Sequence, residues 1–134
     1  MMSSIDIRAI LLATLAVFGI DFFTSWMLFA AFGGPMSGSE EQVKSAVEAM
    51  TRDPAYLRAA LILGTASTIV GGWLVARIAR RIPYFNALAY GLLSVVLSVL
   101  LSGDLPLWVR VVGTILTLPA ALFGAYFGKR PLSK

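Results

Sequence analysis

The sequence predicts an all-α integral membrane protein: a four-helix bundle with a short amphipathic external helix between the first and second spans. Three observations carry this. Of the 134 residues, 58% are hydrophobic and only 13% charged, whereas soluble domains carry about 25% charged residues. A chain this short has too little interior to hide so many apolar side chains from water. Apolar runs recur four times, at about 7–32, 54–79, 84–102 and 106–128, and roughly 20 such residues cross a hydrocarbon core as a helix. A helix also satisfies its own backbone hydrogen bonds in lipid. The chain, 1–134, reads as a single transmembrane domain.

The first run is too long for the core of a signal peptide and no small-x-small cleavage site follows it cleanly. The segment "SGSEEQVKSAVEAMTRDP" links it to the second. Ser39 followed by Gln42 forms a capping-box pattern. Glu40 and Glu41 fall in the first turn, where the helix dipole favours negative charge. Val43, Ala46, Val47 and Met50 recur on one helical face. These features predict an interfacial helix over about 39–52. Asp53 then caps the second span and Pro54 suits its first turn. The acidic polar face of this short helix makes headgroup attraction a poor explanation for it. Bridging two spans, or docking a partner, explains it better.

Basic residues sit at the ends of the apolar runs. Arg8, Arg77, Arg80, Arg81, Lys129, Arg130 and Lys134 share one side, while Lys44, Arg52, Arg58 and Arg110 share the other with most of the acids. The positive-inside rule then places both termini in the cytoplasm. The net charge of +4 does not indicate nucleic acid, because no basic stripe lies beside exposed aromatics. Tyr56, Trp108, Tyr84 and Tyr126 stand near span ends, where an aromatic belt belongs.

Small residues recur every fourth position. The second span carries Ala60, Gly64, Thr68, Gly72 and Ala76, and the fourth carries Ala120, Gly124 and Gly128. Such seams let helix backbones approach closely in lipid. Gly64, Thr68, Gly72, Ala76, Gly124 and Gly128 are therefore the expected packing seam. Four helices leave some of it for other chains, which points to a homo-oligomer or a larger membrane complex. The second and fourth spans also match in register. Arg58 and Arg110, Thr65 and Thr117, Gly72 and Gly124, and Arg77 and Lys129 are each 52 positions apart. A duplicated helical hairpin would produce this, as would convergence on ordinary membrane-helix grammar.

Asp21 lies inside the first span, roughly 20 Å along a straight helix from Arg8. A carboxylate at that depth is costly unless it is paired, hydrogen-bonded or protonated. Thr24 and Ser25 lie a turn away, and Thr65, Ser67, Thr68, Thr114 and Thr117 lie at similar depth on other spans. Arg110 is higher, but its long side chain can reach downward. Asp21, Thr24, Ser25, Thr65, Thr68, Arg110 and Thr117 are thus the candidate polar-network or ion site. Either the network fixes helix rotation, or Asp21 carries a proton or cation.

The chain contains no cysteine and no histidine, which removes disulfides, thiol chemistry and imidazole catalysis. Asp21 has no acidic companion at its depth for an aspartyl dyad. Gly33-Gly34 and Gly71-Gly72 lack the Lys-Ser/Thr of a phosphate loop. No enzyme, cofactor or metal site is expected. Pro119 should kink the fourth span or free the carbonyl near Ile115.

The stretch "GGWLVARIARR…NALAYGLLSVVLSVLL…LPLWVR…LPAALFGAYFGKR" resembles short four-span bacterial inner-membrane proteins with no assigned activity, over roughly the second half of the chain. The resemblance implies a bacterial inner membrane and no particular chemistry. The expected function is that of a non-enzymatic oligomeric or accessory subunit working through the small-residue seams. The alternative is a small proton- or cation-coupled transporter using Asp21.

Overall fold

A computed structural model describes residues 5–35, 37–79, 82–101 and 105–129. Five helices follow in order: α1 (Ile7–Ala31), α2 (Glu40–Met50), α3 (Pro54–Ile78), α4 (Pro83–Leu101) and α5 (Leu107–Gly128). Four of them, all but α2, are long and apolar enough to cross a membrane. The arrangement is compatible with a membrane helical bundle. Arg80, Arg81, Ser102, Asp104, Arg130 and Lys134 lie outside the described residues.

Local chemistry sets the helix ends. Asp6 accepts the Ala9 N–H at 3.0 Å and starts α1. Gly33 takes the left-handed conformation (φ 85°) that ends it. Ser39 and Gln42 form a reciprocal capping box: Ser39 Oγ accepts the Gln42 N–H, and Gln42 Oε1 accepts the Ser39 N–H. Asp53 accepts the Ala55 N–H at 2.9 Å, with Pro54 at the first helical position of α3. The last helix runs unbroken through Pro119. Proline has no N–H, so the Ile115 carbonyl loses its usual partner on the exposed side of α5.

The central pair is α3 and α5, which run parallel and touch backbone to backbone. A Cβ on Gly72 would strike the Ala121 carbonyl, and one on Gly124 would strike the Ile69 carbonyl. These two contacts exchange under the 52-residue shift seen in the sequence, since Ile69 corresponds to Ala121. The two helices therefore cross about a quasi-twofold axis. Gly128 extends the contact onto the Trp73 backbone, and Ala76 is buried beside it. Most of the expected seam is thus filled within the chain. Gly64 differs: nothing lies within 4 Å of its notional Cβ. The sequence expectation that glycine seams remain open for other chains gains no support from this packing, because α3 and α5 cover each other's glycines.

Around this pair, α1 runs antiparallel to α3, and α4 runs antiparallel to both α3 and α5. Ile10, Ala13, Val17, Val75, Tyr90 and Ala121 form the main buried cluster. Ala76, Ala87 and Ala125 form a second, nearer the end away from α2. At that end Asn86 is fully buried; its Oδ1 accepts the Asp6 N–H at 2.6 Å, tying α4 to α1. Lys129 Nζ lies 5.5 Å and 4.7 Å from the Tyr84 and Tyr126 ring centres. Leu15, Phe22, Leu100, Leu107, Ile115 and Phe127 point outward and exposed, the surface a lipid solvent would cover. Met50 is the buried residue of α2, whereas Val43 and Val47 remain exposed.

Candidate functional site

The bundle is tight at one end and splayed at the other. Glycine and alanine contacts close the end away from α2. Toward α2 the helices part around a cleft of about 570 Å³. Thr51, Tyr56, Leu105 and Arg110 border its mouth, and Thr14, Val17, Tyr90 and Thr117 line its depth. Val17 and Tyr90 also belong to the main buried cluster, so the cleft ends blind against close-packed side chains.

Asp21 sits in this cleft, half-buried. The Ser67 hydroxyl lies 2.5 Å from its Oδ1, a bond from α3 to α1 across 46 residues of sequence. Helix geometry explains the polar lining. Thr14, Asp21, Thr24 and Ser25 recur at helical spacing and place one polar stripe of α1 along the cleft. From α3 come Gly64, Thr65 and Thr68; from α4, Tyr90, Ser94 and Ser98; from α5, Arg110, Gly113, Thr114 and Thr117. Gly64 faces open space because the cleft lies there.

All seven residues singled out from sequence — Asp21, Thr24, Ser25, Thr65, Thr68, Arg110 and Thr117 — line this one cleft. Ser67, considered from sequence only as one of several hydroxyls at the right depth, is the one that reaches the carboxylate. Arg110 borders the mouth and makes no hydrogen bond to Asp21 among the described residues. Tyr90, Thr14 and Ser94 were not foreseen as site residues. Thr14 precedes Asp21 by seven residues, two helical turns, which was a readable signal. Tyr90 gave less warning, since a tyrosine inside an apolar run reads as core. Its phenol oxygen is buried, packed against Gly71.

The arrangement can solvate and hold a charge. It offers one carboxylate, a ring of hydroxyls at several depths, and one guanidinium at the entrance. Among the described residues, no three His, Cys, Asp or Glu side chains converge as metal ligands. No known family, curated protein or solved structure matches the chain, so the function must be argued from this geometry. Fold and site together define, among the described residues, five helices, four of them membrane-compatible and set around a polar cleft.

Proposed function

We propose that the protein is a small membrane carrier in which Asp21 takes up a proton or cation inside the cleft. The observation that supports this most directly is the placement of the half-buried acid: Asp21, bonded to Ser67, lies in a hydroxyl-lined cleft that opens toward one end of the bundle. Intramembrane acids facing a bundle interior commonly mark ion or proton paths. In this reading the chain lies in a bacterial inner membrane with both termini cytoplasmic, following its basic residues. Then α2 lies on the outer face as an amphipathic interfacial helix, and the cleft opens outward. Transport needs the sealed end to open. The backbone contact between α3 and α5 is the rigid part, and α1 and α4 are the elements free to move against it.

The test is flux through liposomes holding the purified full chain. Under an imposed proton or monovalent-cation gradient, wild type should dissipate the gradient and Asp21→Asn should not. No flux above empty liposomes from folded wild-type protein would sink the proposal.

A second reading keeps the protein as a non-enzymatic accessory subunit. Val43 and Val47 on α2 favour it, since both are exposed on a helix that packs mainly through Met50. The mass of the gently extracted native complex decides between them. Unrelated chains at fixed stoichiometry support an accessory subunit, while this chain alone, or in copies of itself, supports the carrier.

A further inference from the structure

Four threonines of the cleft turn their hydroxyl protons away from it, and this selects a ligand. Thr14 donates to the Ile10 carbonyl at 2.8 Å, Thr24 to the Asp21 carbonyl at 3.2 Å, Thr68 to the Gly64 carbonyl at 2.9 Å and Thr117 to the Gly113 carbonyl at 2.7 Å. A hydroxyl has one proton and two lone pairs. With that proton committed to its own helix, each threonine offers the cleft only lone pairs. Behind them Ser67 is buried, its one proton lying between Asp21 Oδ1 at 2.5 Å and the Gly64 carbonyl at 2.9 Å. An ionised Asp21 is an acceptor alone. Asp21 and these threonines therefore present acceptors to the cleft and no donors.

An anion or a neutral acceptor would bring further lone pairs against those already there and make no hydrogen bond with them. A cation carrying several N–H groups would satisfy them. Size separates a bare ion from a molecule. About 570 Å³ far exceeds a single ion and falls in the range of roughly 300–1,000 Å³ typical of small organic ligands. Phe18, Leu28, Leu57, Leu61 and Leu97 supply apolar wall.

The geometry points to a primary organic ammonium ion as the ligand, its N–H groups on Asp21 and the threonine lone pairs and its apolar body along the leucines. This rests on the reading of the cleft as a cation site. Arg110 at the mouth disfavours a second positive charge on the outer end of the ligand.

The experiment is calorimetric titration of the full chain in lipid nanodiscs, with empty nanodiscs as the reference for partitioning. The probes are hexylammonium, hexyltrimethylammonium and 1-hexanol. Hexylammonium should bind saturably and about tenfold more tightly than hexyltrimethylammonium, which has the charge but no N–H donor. Hexanol should only partition. Asp21→Asn should abolish saturable binding, and Thr117→Val, which keeps the side-chain shape, should weaken it about threefold. Equal affinity for the two cations, saturable binding that survives Asp21→Asn, or no saturable binding of any probe would overturn the inference. If Asp21→Asn fails to fold, Thr117→Val with an unchanged melting temperature carries the test: undiminished affinity there overturns it. Cation or proton flux without hexylammonium binding overturns this ligand class and leaves the carrier reading standing. Binding without flux does the reverse.

Discussion

Asn86 shows what a single buried polar residue contributes. It is 0% exposed, accepts the Asp6 N–H at 2.6 Å and donates to the Ile82 carbonyl at 3.2 Å. It joins the start of α1 to the start of α4 at the closed end. Replacing it by leucine keeps the bulk and leaves the Asp6 N–H without its side-chain acceptor, while the Ile82 carbonyl keeps the backbone N–H of residue 86. The expected cost is about 1–3 kcal/mol, read as a lower unfolding midpoint of the detergent-solubilised protein. A midpoint within error of wild type would mean that Asp6 finds water instead. Asp21 differs because it lines an open cleft itself, while its partner Ser67 is buried behind it. The sequence exposed Asp21 as anomalous, since an acid in an apolar run needs a reason. It did not distinguish Ser67 from Thr65 or Thr68, because the choice depends on the rotation of α3 about its axis. That rotation is set by the α5 contact, some distance along the helix.

At the level of the element, the glycines of α3 look alike in sequence and differ in the fold. Gly72 meets the Ala121 backbone, while Gly64 faces the cleft. Gly64→Ala should change stability by less than about 1 kcal/mol, and the change should tend to be favourable because alanine is the better helix former. Gly124→Ala drives a methyl into the Ile69 carbonyl and forces α3 and α5 apart. It should cost about 3 kcal/mol or more, in line with overpacking of a rigid contact. Both follow from unfolding of the variants side by side; equal effects would show that the α3–α5 contact is looser than drawn. The spans, the capping box of Ser39 and Gln42, and the Asp53–Pro54 start of α3 were all readable in sequence, with boundaries within a residue or so. Caps and apolar runs are local chemistry, so the chain states them directly. The 52-residue register between the second and fourth spans was readable too. Its structural meaning, two parallel helices crossing through exchanged glycine contacts, appears only when the two are side by side.

Across the whole molecule, the contrast is between a closed end and an open one. Ala125 lies in the buried cluster at the closed end, and Ser94 lines the cleft. The protein contains no cysteine, so an introduced one is its sole thiol. In sealed vesicles, Ser94→Cys should react with a membrane-impermeant maleimide added on the α2 side and not from the opposite side. Ala125→Cys should stay unlabelled from either side. Labelling of Ser94→Cys from both sides would mean that the cleft runs through the bundle, as in a channel rather than a carrier.

The sequence alone determined the order of the helices, the four that are long and apolar enough to cross a membrane, and the polar residues grouped along them. Each of these depends on side-chain transfer preference or on hydrogen bonds within a few residues. The tertiary structure decided which polar groups meet and which glycines are filled. It selected Ser67 for Asp21, brought Tyr90 and Thr14 into the cleft, turned the seam inward, and closed one end while leaving the other open. These outcomes depend on how each helix is rotated and tilted against its neighbours, and contacts between residues far apart in the chain set those angles.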